Sequence, residues 1–340
     1  MSIWVATGIS GSGRIELLKE LANYAQKDGR QVVVHDVGAL VQQECVRNRL
    51  PFTDQRILDL DPALLRTLRS SALKSVRLAI VQAPAADLHL VGMHATFRWK
   101  HRIIPGISYS DVLLLEPAGF INVVNDLSIA FGTNQMNPKW TADTVPSYSE
   151  TQEWMIEEEL VTEVLGDVVD KRVFIVARRH RVQNLADLFF STKKRIYLSY
   201  PITAIRREDP KLIEKIQGPF LMRLENHFVV FDPLAIKDMA LATDQPIPER
   251  LDKKAVAIIK ARTIDRDFQF IDQADAIVVL YMTDKLSPGV IAEMEYAHRG
   301  QKPVFVAFSG PLSPFLEKVA TVIEPTIDAL MPHLDAWAVK

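Results

Sequence analysis

The chain has 340 residues, of which 48% are hydrophobic and 24% are charged, a globular composition with enough apolar side chains for two or three domain cores. Its 40 basic and 42 acidic residues nearly cancel, so the overall charge gives no reason to expect binding to nucleic acid or to an anionic membrane. The single cysteine, Cys45, excludes an intramolecular disulfide and a cysteine-rich metal site. No apolar run approaches the roughly 18 residues that span a bilayer, and the first residues read as a strand rather than a signal peptide, so we expect a cytoplasmic protein.

Apolar segments alternate with helical patterns along the chain. A strand over 3–7 leads through a glycine turn into a helix over about 14–27, and a second pattern of this kind begins at 195–199. Strands and helices at this spacing predict βαβ units and parallel sheets. We therefore predict an α/β fold with two doubly wound domains, over 1–190 and 191–340.

A glycine-rich loop, Gly8-Ile-Ser-Gly11-Ser-Gly13, follows the first predicted strand. A loop of this kind between a strand and a helix favours a phosphate, because its N–H groups and the helix N-terminus converge. The complete phosphate-loop motif ends in Gly-Lys-Ser/Thr, whereas here Arg14 and Ile15 follow Gly13. Arginine keeps the charge of the lysine without its compact shape, and isoleucine offers no oxygen to magnesium. The loop is therefore predicted to have lost part of its ATP and magnesium chemistry.

Several further segments complete a family pattern in the first domain. The segments are His35-Asp-Val-Gly38, Asp54-Gln-Arg56, Val91-Gly-Met-His-Ala-Thr96 and Pro105-Gly106. With the glycine loop they make residues 1 to 188 resemble an archaeal-type adenylate kinase. The chain departs from that family at Gly92, where an aspartate near magnesium is usual, and in 132–150, which contains no arginine for a lid. The resemblance and its losses imply a degenerate kinase domain that serves structure, assembly or nucleotide sensing.

The adenylate-kinase resemblance also implies which residues of this domain would hold a nucleotide. They are Gly8, Gly11, Gly13, Arg14, Arg56, His94 and Thr96. An alternative that stays open is that Arg56, His94 and Thr96 only cap and pack the fold.

A carboxylate follows the strand predicted over 276–281. In the next segment, Ser287-Pro-Gly-Val-Ile-Ala-Glu293, Gly289 allows a tight strand-to-helix turn and Glu293 falls in the first turns of a helix. Open α/β sheets bind ligands outside the carboxyl ends of their parallel strands, which is where this carboxylate is expected. Glu295 is about 200° away around the helix, so only one of the two glutamates can face the site. The alternative is that Glu293 is an ordinary solvated helix residue.

Two upstream motifs accompany this glutamate. Tyr197 begins Tyr-Leu-Ser-Tyr-Pro after an apolar strand start, and Asp267 lies in a helical segment before Ala-Asp at 274–275. In this order, residues 193 to 310 resemble the nucleoside 2-deoxyribosyltransferase superfamily. The turn Ser-x-Gly-Val-x-x-Glu is closer to the deoxynucleoside 5′-monophosphate N-glycosidase branch than to the free-nucleoside transferases, which usually have an aspartate in place of Ser287.

The superfamily resemblance implies three catalytic roles. Glu293 would be the nucleophile that forms a covalent deoxyribosyl intermediate, and Tyr197 would donate a hydrogen bond that fixes it. Asp267 would be the general acid and base acting on the departing base, which requires a raised pKa near neutrality. Tyr197 has the alternative of being a packed core residue.

Three other aspartates compete with Asp267 for the acid role. Asp265 is a candidate helix N-cap. Asp272 and Asp275 are better placed to end the helix or to start the following strand. Asp267 is the aspartate that matches the superfamily resemblance.

The residues expected to bind the substrate are Ser287, Gly289, Arg206, Ser199 and Pro201. Ser287 and the N–H groups around Gly289 are expected at a helix N-terminus, which is a ready anion site. Arg206 and Arg207 either clamp the same phosphate or form a solvated surface run. Ser309 is a further candidate that would act across a subunit interface.

The predicted function is cleavage of the N-glycosidic bond of deoxynucleosides or deoxynucleoside 5′-monophosphates, by hydrolysis or by deoxyribosyl transfer. We expect no metal and no required cofactor, apart from a possible nucleotide in the N-terminal glycine loop. The expected partner is the deoxynucleoside or deoxynucleotide substrate, and both families suggest a homo-oligomer. The alternatives are a nucleotide kinase, a non-catalytic nucleotide-sensing protein and an NAD-type glycohydrolase.

Overall fold

The chain forms two compact units in a computed structural model. The model describes residues 2–50, 56–83, 85–100, 102–202, 204–205, 210–236, 238, 253–283 and 287–339. The first unit comprises Met1–Val182 with Ile236–Ile259, and the second comprises Gln183–Ala235 with Lys260–Lys340. The boundary predicted from the sequence, at 190, falls one helix later than the first division at 182.

The first unit alternates strands and helices along most of its length. Its elements are β1 (Ser2–Thr7), α1 (Arg14–Lys27), β2 (Val32–Asp36), α2 (Val37–Arg47), a 3-10 turn (Ile57–Asp59), α3 (Pro62–Gln82), β3 (Leu88–Gly92), β4 (Thr96–Trp99), β5 (Arg102–Pro105), α4 (Tyr109–Leu115), β6 (Gly119–Val124), α5 (Leu127–Met136), α6 (Tyr148–Val168) and β7 (Val173–Ala177). The helix predicted over 14–27 is confirmed as α1.

One parallel sheet forms the centre of this unit. Its strands lie in the order β2-β3-β1-β6-β7, and every neighbouring pair is parallel. β3 and β6 are buried along their whole length, as expected of strands that helices cover on both faces. Because β1 lies between β3 and β6, the glycine loop that follows β1 emerges at the middle of the sheet edge.

Local capping fixes where several of these helices begin. The Asp36 side chain accepts a hydrogen bond from the backbone N–H of Ala39 at the start of α2. The Asp61 side chain likewise accepts backbone hydrogen bonds at the start of α3, which begins at Pro62. Ser147 and Glu150 form a reciprocal capping box at the start of α6. These short-range signals are readable in the sequence, because each cap lies within three residues of its partner.

The second unit repeats the same architecture. Its elements are α7 (Val182–Phe190), β8 (Arg195–Ser199), α8 (Pro210–Lys215), a π-helical turn (Ile216–Phe220), α9 (Leu221–His227), β9 (Val229–Phe231), a 3-10 turn (Pro233–Ala235), α10 (Lys253–Gln273), β10 (Ala276–Tyr281), α11 (Pro288–Arg299), β11 (Val304–Phe308), α12 (Pro314–Val319), β12 (Val322–Glu324) and α13 (Ile327–Val339). The π-helical turn contains Pro219, which cannot supply a helical N–H.

The second sheet reverses its direction of growth between β8 and β10. The strand order is β12-β11-β10-β8-β9, and all neighbouring pairs are parallel. The chain therefore winds outward from β8 to β9 on one side and from β10 through β11 to β12 on the other. Such a reversal opens a crevice at the carboxyl ends of the two central strands.

The predicted fold class is confirmed, because the described residues form two parallel five-stranded sheets flanked by helices. Within the described part of the chain, no helix combines the length and the apolar character that crossing a membrane requires.

Candidate functional site

The end of β8 brings two hydroxyl groups to one face of the second sheet. Tyr197 pairs with Ile277 of β10 and Phe231 of β9, and Ser199 pairs with Val279. Residues two apart on a strand point to the same face, so both side chains project together. Both are fully buried, with an exposed fraction of 0%.

Helix α11 supplies the carboxylate that these hydroxyls contact. Val290, Met294 and Ala297 are its buried residues. Glu293 lies three residues after Val290 and four before Ala297, which places it on the same inward stripe. Glu293 is only partly buried as a whole residue, and burial is the main cause of the raised pKa of its carboxyl group. The helix thus presents Glu293 to the crevice between β8 and β10.

Both oxygens of Glu293 accept hydrogen bonds from β8. Tyr197 donates its phenolic hydrogen to Oε1 over 3.2 Å, and the Ser199 hydroxyl donates to Oε2. Burial, followed by the charges of Asp267 and Glu293, raises the pKa of Tyr197 far above its usual value, which keeps the phenol protonated. Glu293 is therefore held at two points by neutral donors.

The pKa values of Asp267 and Glu293 are both strongly raised. Burial, and then the charge of Asp267, raise the pKa of Glu293 to about 8. Burial raises the pKa of Asp267 to about 7, with Arg266 opposing the shift and Asp232 adding to it. Two carboxyls that repel each other lose their protons in two steps that belong to the pair. Between those steps the pair holds a single proton.

Hydrogen bonding decides which carboxyl keeps that proton. The two hydroxyls that donate to Glu293 stabilise its charged form. Oδ1 of Asp267 is buried and has no hydrogen-bond partner, and the nearby Arg266 is the group that favours a negative charge on this carboxyl. Although the pKa of Glu293, about 8, is higher than that of Asp267, about 7, the two hydrogen bonds to Glu293 favour the arrangement in which Asp267 holds the proton and Glu293 the negative charge.

The carboxylates that competed with these two are engaged elsewhere. Glu295 pairs with Arg299 at 2.8 Å on the same helix, which takes it away from Glu293. Asp275 accepts from the backbone and guanidinium of Arg195 and so anchors the start of β8.

Two further aspartates of α10 have no place in the crevice. Asp272 accepts a hydrogen bond of 2.9 Å from the Tyr296 hydroxyl. Asp265 lies in the interior of α10 and is exposed, 4.0 Å from Arg262. The prediction that Asp265 is an N-cap is wrong, because the helix already begins by Lys253.

The turn before α11 differs from its prediction. Ser287 donates its backbone N–H to the Tyr281 hydroxyl over 2.7 Å, and its own side chain makes no capping bond. Gly289 lies in the first turn of α11 and does not have a positive φ, so the tight turn inferred for it is wrong. A Cβ atom at Gly289 would meet no protein atom within 4 Å, which leaves open space above the helix N-terminus.

The other residues expected to bind the substrate differ in their surroundings. Pro201 is buried directly after β8 and its carbonyl accepts from Ile205 N at 3.0 Å. Ser309 is exposed after β11. Arg206 and Arg207 lie outside the described residues.

Sequence reasoning missed Asp232 in this site. Asp232 follows β9 directly, is 5% exposed and accepts a 2.8 Å hydrogen bond from the Tyr200 hydroxyl. Its charge contributes to the raised pKa of Asp267. The available signal was an aspartate at the carboxyl end of an apolar run, the same signal that marked Glu293.

In the first unit the glycine loop has the backbone of a tight turn. Gly8, Gly11 and Gly13 all have positive φ. A Cβ at Gly8 would lie 2.6 Å from the Val123 carbonyl oxygen, and one at Gly11 would lie 2.5 Å from that of Ala130. Only glycine fits these positions, in agreement with the predicted loop.

Sequence reasoning missed Glu158, a buried glutamate that accepts hydrogen bonds from donors beside this loop. Glu158 is 1% exposed and accepts from Gly8 N and Ala95 N, each at 2.8 Å. It also accepts from Thr96 through the backbone N–H at 2.6 Å and the hydroxyl at 2.8 Å. Thr96, predicted to bind a nucleotide, is therefore engaged by Glu158.

Two positions that depart from the kinase pattern contact each other. A Cβ at Gly92 would lie 2.5 Å from Cδ1 of Ile15, so an aspartate at this position would require the isoleucine side chain to shift. Arg14 is turned inward, is 7% exposed and donates to the Gly8 carbonyl. The end of the loop is thus filled by the Ile15 side chain and by an internal cation.

A cavity of about 120 Å³ lies beside the loop in the first unit. Its lining combines aromatic rings with cations and includes Trp99, Trp140, Arg56, Arg69, His94 and Lys139. Burial, and then the nearby Arg14, lower the pKa of Lys139 to about 8. Nδ1 of His94 is buried without a hydrogen-bond partner. Among the residues described, no group of three or more His, Cys, Asp or Glu side chains gathers in a metal-binding arrangement.

Comparison with protein-family models found no match for this chain. A search among curated proteins likewise found no match.

Proposed function

We propose that the second unit cleaves the N-glycosidic bond of deoxynucleosides or deoxynucleoside 5′-monophosphates, by hydrolysis or by deoxyribosyl transfer. The observation that carries the proposal is that Tyr197 and Ser199 hold the Glu293 carboxylate, and that burial and the charge of Asp267 raise the pKa of Glu293. The order of the Tyr197, Asp267 and Glu293 motifs, which resembles the nucleoside 2-deoxyribosyltransferase superfamily, supports it.

The first chemical step joins the enzyme to the sugar. An oxygen of Glu293 attacks C1′ of the deoxyribose while the bond from C1′ to the base nitrogen breaks. The electron pair of that bond leaves with the base, and Asp267 gives its proton to the base. This pair of carboxyls follows the logic of retaining glycosidases.

The second step releases the sugar from Glu293. Water, or the nitrogen of a second base, attacks C1′ and loses its proton to the Asp267 carboxylate. The ester bond to Glu293 breaks and the carboxylate is restored. General acid and base catalysis of this kind contributes about 10²–10⁴-fold to the rate.

The N-terminus of α11 is the proposed position of a 5′-phosphate. Free backbone N–H groups and the helix dipole favour an anion there. The space above Gly289 leaves room for a phosphate to approach the backbone. A phosphate at this position would lie one helical turn from Glu293 on the same helix.

Release of free base is the experiment that tests the proposal. The full chain is incubated with a panel of deoxynucleosides, their 5′-monophosphates, ribonucleotides and NAD, and the products are separated by chromatography. We expect a deoxy compound to release base with the wild type and with Glu295→Gln, but not with Glu293→Gln. A folded wild type that releases no base from any deoxy compound would refute the proposal, and release from NAD alone would favour the glycohydrolase.

Nucleotide binding without phosphoryl transfer is the second candidate function, assigned to the first unit. The observation favouring it is the cavity that joins Trp99 and Trp140 to partly buried cations. Aromatic rings stack on a base and cations bind a phosphate, although a cavity of about 120 Å³ would have to widen to enclose a whole mononucleotide. Phosphoryl transfer depends on metal positioning, which the contact between Ile15 and Gly92 disfavours. Calorimetry with AMP, and an assay for transfer from ATP, distinguish binding from a kinase.

Assembly and location are proposals of the same kind. Both families suggest a homo-oligomer, which sedimentation analysis of the full chain would test. We also propose a cytoplasmic location for the protein.

A further inference from the structure

Ser199 makes a contact that its expected role in substrate binding does not explain. The residue ends β8, is fully buried and donates its hydroxyl hydrogen to Oε2 of Glu293. Tyr197 donates to the other oxygen, Oε1. Each carboxylate oxygen of Glu293 thus accepts a hydrogen bond from a hydroxyl group of β8.

We propose that Ser199 is a positioning residue for the glycosidic reaction, and that its hydroxyl keeps Glu293 ionised and correctly turned while the shared proton remains on Asp267. This inference rests on the proposed function of the second unit. It assigns Ser199 to the nucleophile and not to the substrate.

The need for such a donor follows from the surroundings of Glu293. Burial and the neighbouring Asp267 both oppose a charge on Glu293. Only the hydrogen bonds from Ser199 and Tyr197 lower the pKa of Glu293 and so favour its charged form. Without one of them, the single proton of the pair would move toward Glu293 and leave a neutral acid where the reaction requires a nucleophile.

The titratable groups that bear on this pair come from three elements. Asp267 and Arg266 belong to α10, Tyr197 belongs to β8, and Asp232 follows β9. Tyr197 already donates its hydrogen to Oε1, so it does not replace the Ser199 hydroxyl at Oε2.

The Ser199 hydroxyl itself is not consumed in the chemistry. When Glu293 forms its ester with C1′, one carboxyl oxygen becomes part of the new bond and the other becomes a carbonyl oxygen. A carbonyl oxygen still accepts a hydrogen bond, so the serine can hold it in both states. Ser199 therefore gains and loses no proton.

The first test compares Ser199→Ala with Ser199→Thr, which keeps the hydroxyl, and with Ser313→Ala, which removes an exposed serine of the same unit. In Ser199→Ala we expect the acid limb of kcat/KM to move to higher pH by about one unit, since a lost hydrogen bond to a charge is of that order. At neutral pH kcat should fall about tenfold with KM nearly unchanged. Ser199→Thr and Ser313→Ala should keep the wild-type profile.

A second measurement does not depend on base release. Infrared spectra taken against pH follow the carbonyl band of protonated carboxyls, and subtraction of the Glu293→Gln spectra isolates Glu293. We expect this band to persist to higher pH in Ser199→Ala than in the wild type or in Ser199→Thr. If the wild type releases no base, the proposed function fails while this titration still decides the role of Ser199. An unchanged titration in folded Ser199→Ala, or an equal shift in Ser199→Thr, would overturn the inference.

Discussion

Tyr197 donates its phenolic hydrogen to Oε1 of Glu293 over 3.2 Å, across 96 residues of sequence. The bond joins the end of β8 to the helix that follows β10, the two strands between which the sheet changes direction. A carboxylate anchored at this position faces the crevice where an open α/β sheet binds its ligand.

Removal of the tyrosine hydroxyl should weaken catalysis without unfolding the protein. Tyr197→Phe keeps the buried ring but loses a donor to a charged carboxylate. A bond of this kind is worth about 1.5–3 kcal/mol, so we expect kcat to fall about 10- to 100-fold. Tyr296→Phe, which removes a hydroxyl bound to Asp272 on the outer side of α11, is the matched control. Equal effects of the two variants on base release would contradict the role of Tyr197.

Base release should depend on pH through the carboxyl pair. The reactive state holds one proton, on Asp267, so activity requires a pH between the two titration steps. We expect kcat/KM to be highest between about pH 7 and 8 and to fall on both sides. Below this interval Glu293 becomes protonated, and above it Asp267 loses the proton that the base requires. A profile that stays flat from pH 5 to 10 would show that the pair does not control the reaction.

Glu293 should reduce stability at high pH. In the folded protein the pair formed by Glu293 and Asp267 loses its protons in two steps, near pH 7 and pH 8, whereas the ordinary pKa values are 3.8 and 4.5. The folded state therefore binds the protons of the pair more tightly, and this advantage is complete below about pH 4 and is lost as the pH rises through about 7 to 8. Glu293→Gln has no charge to bury, so at pH 8.5 its second unit should be more stable than the wild type by more than about 1 kcal/mol.

Hydrogen exchange of peptides from β8 and β10 measures this difference within the second unit. The gain in stability of Glu293→Gln over the wild type should shrink to nearly nothing at pH 4. A gain that is the same at both pH values would mean that Glu293 is not held in the environment described.

Glu158 should be essential to the stability of the first unit. Its carboxylate satisfies donors from Gly8, Ala95 and Thr96, all of them buried. Glu158→Gln replaces one acceptor oxygen by an amide donor and leaves buried N–H groups without a partner. We expect a loss of about 1–3 kcal/mol in the free energy of unfolding. Tryptophan fluorescence suits the measurement, because Trp4, Trp99, Trp140 and Trp154 belong to this unit.

A surface glutamate of α1 provides the comparison for this experiment. Glu16→Gln removes an exposed carboxylate and should change the free energy of unfolding by no more than about 0.5 kcal/mol. If Glu158→Gln proves as mild as Glu16→Gln, the carboxylate is not a structural anchor.

The fold was predictable because its signals are local. The strands at 3–7 and 195–199 and the helix over 14–27 follow from hydrophobic periodicity and from glycine turns. Helix geometry alone predicted that Glu293 and Glu295 cannot both face the site. The choice of Glu293 came from its spacing to Gly289 and Ala297 in the family pattern, and the ion pair between Glu295 and Arg299 agrees with it.

What the sequence could not supply were contacts between distant residues. Ser199 meets Glu293 across 94 residues, and Glu158 meets Gly8 across 150. Nothing near either residue in the sequence names the partner, because the pairing depends on strand order and helix packing. Gly289 was misread for a different reason, since glycine is compatible both with a tight turn and with the first turn of a helix.

Acid-quenched mass spectrometry of the working enzyme tests the central claim most directly. The full chain is mixed with a deoxynucleotide that it cleaves, stopped within one turnover, digested and analysed for added deoxyribose. We expect one sugar, carrying its phosphate where the substrate has one, on the peptide that contains Glu293, and none in Glu293→Gln. Base release that continues in Glu293→Gln, with no sugar on any peptide of the wild type, would contradict the covalent role of this glutamate.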